Sequence, residues 1–128
     1  MRISYKKADI SDLELLVKTR IEVLRAANRL AEEVDMQEVE EQSRRYYINA
    51  LENNTHTAYL VYNQDDFIGA GGISYYCVMP TYHNPTGKRA YIMNMYVKPE
   101  YRRKGIATKT LQLLVDDAKK RGIDHISL

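Results

Sequence analysis

Tyr96-Val97-Lys98-Pro99-Glu100-Tyr101-Arg102-Arg103-Lys104-Gly105-Ile106-Ala107-Thr108 is the stretch that decides how this chain folds. Apolar residues end at Val97, Pro99 cannot donate to a sheet ladder, and Gly105-Ile106-Ala107 opens an amphipathic pattern that runs to Arg121. The spacing predicts a strand, a turn and a helix N-terminus. The first amides of a helix lack backbone partners and carry partial positive charge, so small residues there let a phosphate approach the backbone itself. Gly105 and Ala107 give that access, Arg102, Arg103 and Lys104 surround it with positive charge, and the Thr108 hydroxyl adds a donor. The stretch is therefore expected to hold a polyphosphate. It is neither a Gly-x-x-x-x-Gly-Lys-[Ser/Thr] nor a Gly-x-Gly-x-x-Gly, so the nucleoside triphosphate and dinucleotide loops are excluded.

Working outward, Lys88 to Val97 reads as the strand that enters this loop. Ile106 to Arg121 is its helix, with Ala107, Leu111, Leu114, Val115 and Ala118 on one stripe. Lys119, Lys120 and Arg121 complement the C-terminal dipole, and Gly122 suits the position after the helix. A new strand begins at His125 to Leu128. Strand, crossover helix and strand of this length predict two parallel neighbours.

Upstream, Arg2 to Lys7 alternates as a strand. Ser11-Asp12-Leu13-Glu14 resembles a capping box with Ser11 as N-cap, and Leu13, Leu16, Val17, Ile21 and Leu24 carry a helix to about Asn28. Asp35-Met36-Gln37-Glu38 is a second box-like start, leading to a helix with Val39, Tyr46, Tyr47, Ala50 and Leu51 on one face. Thr57 to Tyr62 and Phe67 to Met79 alternate as strands joined by a turn, so they pair antiparallel. Gly69, Gly71 and Gly72 suggest a bulge or a close approach within the second of them. Met79 to Gly87, with two prolines, is a loop. The expected fold is α/β of the α+β type: a mixed sheet, antiparallel at the N-terminal side and parallel at the end, with helices on both faces.

The chain has 128 residues, 45% hydrophobic and 28% charged, which fits one domain over 1–128 with a single core. With 19 basic and 17 acidic residues the net charge is only +2. That balance argues against a nucleic-acid partner and against a membrane surface, although Arg44, Arg45 and Arg102 to Lys104 leave a nucleic-acid-binding module as a remote alternative. Cys77 is the single cysteine, and no signal peptide or long apolar run is visible, so a cytoplasmic location is expected. Three scattered histidines and one cysteine have no metal-ligand spacing. Tyr at 11 against a single Phe and no Trp suggests that several tyrosines face a polar cleft.

Arg102-Arg103-Lys104-Gly105-Ile106-Ala107, preceded by Val97-x-Pro99-x-Tyr101 and followed by Thr108 and an amphipathic helix, resembles the [Gln/Arg]-x-x-Gly-x-[Gly/Ala] motif of the GNAT superfamily of acyl-CoA-dependent N-acetyltransferases. The resemblance extends over nearly the whole chain. It implies an acetyltransferase that binds acetyl-CoA as cosubstrate, needs no metal, and moves the acetyl group directly to an amine of a small molecule or peptide. It also implies that backbone amides from Arg102 to Thr108 hold the pyrophosphate, that Met95, Tyr96 and Val97 offer backbone groups to the pantetheine arm and thioester, and that the two N-terminal helices line the acceptor pocket. In that family a further helix and two more strands follow the last strand here, so the chain is expected to be C-terminally truncated. Weak or absent turnover by an acyl-CoA-binding domain is then the alternative, and exposed edges would favour a homodimer.

Acetyl transfer requires a neutral amine, whereas an alkylammonium has a pKa of about 10.4 and must first lose a proton. Tyr91 and Met93 stand where several relatives of this superfamily place a carboxylate, and the tyrosine that usually protonates the thiolate would fall after Leu128. Asn94, the one polar side chain in mid-strand, and His83, a titratable loop residue, remain as candidate catalytic residues. His56 and His125 are expected to be structural or solvated. Alternation places Ile92, Asn94 and Tyr96 on one face of the strand and Met93, Met95 and Val97 on the other.

Overall fold

These patterns become five strands and three helices in the computed structural model, which describes residues 1–128. The strands are β1 (Ile3–Lys7), β2 (His56–Asn63), β3 (Asp66–Cys77), β4 (Lys88–Val97) and β5 (Ile126–Ser127); the helices are α1 (Leu13–Ala27), α2 (Gln37–Glu52) and α3 (Ile106–Lys120). One sheet of order β1-β2-β3-β4-β5 contains all the strands. β1 to β4 are antiparallel neighbours, and β5 lies parallel to β4 with Ala90 opposite Ile126. The fold is therefore the expected mixed α/β arrangement. No helix is long and apolar enough to cross a membrane.

Alternation along the strands divides the core between the two faces of the sheet. Leu16 and Val17 of α1 and Tyr47 of α2 pack with Ala58, Leu60 and Ala70 on one face. Leu114 and Ala118 of α3 pack with Ile73, Ala90 and Ile92 on the other. The amphipathic stripe of α3 thus seats it across β3 and β4, so its N-terminus is held beside the end of β4. Gly71 is what lets the helix sit so close: a Cβ there would lie 2.7 Å from both the Met95 sulfur and the Thr110 methyl.

The C-terminal end of α3 is tied down by polar bonds. Asp117 accepts from the hydroxyls of Thr57 and Tyr75, and Arg121 reaches Asp117, Thr57 and Asn54 while its guanidinium stacks 3.9 Å above the Tyr75 ring. Burial alone pushes the Asp117 carboxyl up, but the two hydroxyl donors and the charges of Lys7 and Arg121 reverse this and hold it below the usual carboxylate range. Gly122, at φ +74°, closes the helix as expected, and Ile123 then bonds the Ala118 carbonyl.

The start of α1 differs from the sequence expectation. Ser11 lies within a 3-10 turn at Ile10–Asp12 that Asp9 caps, accepting from the Ser11 amide while the Asp12 side chain accepts from the Asp9 amide; the cap position of α1 itself is Asp12, which makes no side-chain cap bond. An aspartate two positions earlier outcompetes the serine because its carboxylate is the stronger acceptor. Glu14, freed from capping, forms a two-bond pair with Arg44 of α2. At α2 the Asp35 carboxylate accepts from the Gln37 amide, and Met36 rather than Asp35 occupies the cap position.

The other correction concerns β4. Its register against β3 runs from Ala70 opposite Tyr96 to Gly72 opposite Met93, so two steps of β3 face three of β4. In this pair the extra residue belongs to β4; β3 itself bulges against β2 beside Gly69, where Val61 faces Gly69 and Tyr62 faces Phe67. Asn94 adopts φ +60° there, a left-handed conformation that asparagine tolerates better than most residues. The bulge inverts the alternation. Ala90, Ile92 and then Met95 and Val97 all pack toward α3, whereas Met93 turns toward α2 and Tyr96 stacks on Phe67. Met93 and Met95 are therefore on opposite faces of the sheet.

Candidate active site

Two cavities lie on either side of this bulge. The larger, about 610 Å³, is bounded by Met95, Tyr96 and Val97 of β4, by Tyr101 to Arg103, and by Gly105, Ile106, Ala107 and Thr108 at the mouth of α3. The structure thus brings together the residues singled out in the sequence, apart from Lys104, which lies outside the lining. Val23, Ala26 and Ala27 at the end of α1 form the opposite wall. Nothing in their local sequence distinguishes them from other apolar positions of an amphipathic helix.

The loop between β4 and α3 is shaped by two left-handed residues, Arg103 at φ +63° and Gly105 at φ +80°. A turn that passes through left-handed residues points successive amides toward one side, which makes a concave anion site. No side chain caps the α3 N-terminus, so the first amides of the helix keep their donors for the cavity. Arg102 Nε donates to the Val97 carbonyl at 3.0 Å, which fastens the loop to the end of the strand. Asn63 donates to the Tyr101 hydroxyl and fixes the 3-10 turn at Pro99–Tyr101.

The second cavity, about 390 Å³, is enclosed by Arg20 of α1, Glu38, Val39, Gln42, Ser43, Tyr46 and Tyr47 of α2, His56 of β2, Ser74 of β3 and Met93 of β4. Its floor is a hydrogen-bonded cluster: the Tyr46 hydroxyl meets His56 Nδ1 at 2.9 Å and also bonds the Ser74 hydroxyl, which lies 3.2 Å from the same nitrogen. His56 is only 4% exposed, so it is structural and not solvated. Its Nε2 has no partner and lies against Gly72. Burial raises the Tyr47 hydroxyl to about 12 and also raises Tyr46, so both stay protonated donors at neutral pH.

Burial and the positive charge of Arg20 lower the His56 imidazole from 6.5 to about 4. Between those values the unfolded chain binds a proton that the folded chain does not. Unfolding free energy should therefore fall as pH drops from about 6.5 toward about 4, with a slope approaching about 1.4 kcal/mol per pH unit. Urea melts of the wild type and His56→Gln across that interval should diverge in slope; identical pH dependence would contradict a buried neutral ring.

Neither candidate catalytic side chain lines either of these cavities. Asn94 is 8% exposed and its Oδ1 has no partner. His83 is exposed in the loop after β3, where its ring lies edge-on to Tyr82. His125 pairs with Asp124 at 2.9 Å.

The sequence model described as the acetyltransferase (GNAT) family matches residues 20–128. A predicted acetyltransferase from Clostridium acetobutylicum, whose crystal structure contains acetyl-CoA, is 34% identical, with 99% of this chain and 80% of that one covered and a TM-score of 0.89. A GCN5-related N-acetyltransferase from Ralstonia eutropha JMP134 shares the fold at 21% identity, covering 98% and 81% of the two chains with a TM-score of 0.85. So does glucosamine-6-phosphate N-acetyltransferase from Arabidopsis thaliana, at 16% identity, 98% and 80% coverage and a TM-score of 0.68. No curated protein matches the sequence.

Proposed function

The chain belongs to the GNAT acetyltransferase family, and from that membership we propose that it binds acetyl-CoA in the larger cavity and passes the acetyl group directly to an amine held in the smaller one. The observation that carries this reading is the single wall formed by Met95 to Val97 and the uncapped N-terminus of α3. The left-handed pair Arg103 and Gly105 aims amides at a pyrophosphate, and Arg102, Arg103 and Lys104 supply the field that attracts it. The β4 backbone after the bulge gives the pantetheine arm donors and acceptors, and an amide there would stabilise the oxyanion of the tetrahedral intermediate.

The amine nitrogen attacks the thioester carbonyl carbon, the carbon–sulfur bond breaks with its electron pair on sulfur, and the proton lost by nitrogen balances the thiolate as free CoA thiol. Attack across the bulge suits direct transfer, because Met93 and Met95, on either side of Asn94, bring the two cavities to positions two residues apart on one strand. One observation favours acyl-CoA binding with little turnover as the second reading. The only imidazole at the acceptor cavity, His56, is a weak base at neutral pH.

Calorimetric titration with acetyl-CoA, followed by an amine panel read by a thiol reagent, tests both. Saturable binding with amine-dependent thiol release is expected. Binding without release from any amine would favour the second reading, and no binding would overturn both.

A further inference from the structure

We propose that the smaller cavity accepts a small amine that also carries an anionic oxygen group, a carboxylate or a phosphate, and that Arg20 binds the anion. The inference rests on the acetyl transfer proposed above and adds the class of acceptor. Arg20 is the only cation in the cavity wall and Glu38 the only anion. Arg20 is half-buried, yet none of the chain's ion pairs uses it. Of the other half-buried arginines, Arg44 is paired with Glu14 and Glu40 and Arg121 with Asp117, while Arg25 and Arg89 also lack an ion pair but line neither cavity.

A guanidinium drawn partly out of water without a counter-ion carries a desolvation cost that an incoming oxyanion would offset. Its planar set of donors matches a carboxylate or phosphate in two-bond geometry. The charge of Arg20 is felt across the floor, where it opposes the upward shifts of Tyr46 and Tyr47 and adds to the downward shift of His56. With His56 neutral, Arg20 has no competing cation. Glu38, in the first turn of α2, offers the opposite charge to an arriving ammonium. Together these make a lining complementary to a zwitterion.

The volume, about 390 Å³, lies at the lower end of small-molecule sites and suits an acceptor of amino-acid size. Met93 puts this cavity one residue from the bulge. An anion fixed on α1 would thus hold the nitrogen between α1 and the acetyl-bearing strand, a positioning effect that a free amine lacks.

Calorimetry on the CoA-saturated chain should compare β-alanine and phosphoethanolamine with the uncharged-tail amines β-alaninamide and propylamine. At least one anionic probe should bind tenfold or more tightly than the amines without an anion, and whichever wins identifies carboxylate or phosphate as the source. Arg20→Ala and Arg20→Gln should each abolish that preference, and Arg20→Lys should keep part of it. Equal binding of all four probes, binding of none, or a preference that survives both neutral substitutions would overturn the proposal. Titration with acetyl-CoA alone reports on the transferase reading separately, since Arg20 lies outside the larger cavity.

Discussion

Gly105→Pro should reduce acetyl-CoA affinity by roughly 100-fold or more, the consequence of losing one or two charge-assisted backbone bonds to the pyrophosphate. Gly105 sits at φ +80°, and proline is locked near −65°, so the substitution deletes an amide and forces the loop to rebuild. The sheet should persist, because this glycine makes no core contact. Nothing lies within 4 Å of a Cβ built at Gly105, which supplies a graded control. Gly105→Ala adds no clash and should cost only the left-handed strain, about 1–2 kcal/mol. Calorimetry and circular dichroism on the two variants decide the matter: a folded Gly105→Pro chain with wild-type affinity would remove this loop from the site.

Leu114→Ala should lower the unfolding free energy by about 2–5 kcal/mol. Leu114 is 0% exposed and is wedged between α3 and the β3–β4 face with Ile73, Ala90, Ile92 and Ala118. Total stabilities of single domains are about 5–15 kcal/mol, so this is a large share. Because the same packing fixes where the N-terminus of α3 stands, the variant should also bind acetyl-CoA more weakly even before it unfolds. Denaturant melts with and without saturating acetyl-CoA would register both effects; a loss below about 1 kcal/mol would mean that the site collapses around the missing side chain.

How much of this was legible beforehand depends on the range of the interactions. The strand, turn and helix around Gly105 follow from local chirality and hydrogen bonding, so Pro99, Gly105 and the 3.6-residue stripe of α3 were enough to place them. The antiparallel pairing of β2 with β3 and the parallel neighbours β4 and β5 followed from connection lengths. The start of α1 was misjudged because a separate 3-10 turn capped by Asp9 precedes the helix, and local pattern alone does not rank Asp9 against Ser11 as the acceptor.

The smaller cavity was hidden for a different reason. Arg20, Tyr46, His56, Ser74 and Met93 come from five elements, and nothing in the spacing between residues 20 and 93 says that they meet. His56 looked like a residue at a strand start; only packing by Tyr46 and Tyr47 turned it into a buried neutral ring. The inverted alternation of β4 left one faint mark, an asparagine inside an apolar strand. Its left-handed tolerance is a better account of its presence than a side-chain role in chemistry.

The bulge at Asn94 works as a half-period phase shift in the strand. Residues before it address one compartment and residues after it the other, so a single continuous stretch of chain carries two independently editable vocabularies. Substitution at Met93 alters the wall of the smaller cavity without touching the packing of Met95 against the core beneath α3. Deleting residue 94 would make Met93 and Met95 successive residues, still on opposite faces, and would bring Gly71 into register with Met95, so the ladder would become regular while the left-handed step at Asn94 disappeared. Asn94 marks the point at which one strand passes from lining the smaller cavity, through Met93, to lining the larger, through Met95, Tyr96 and Val97.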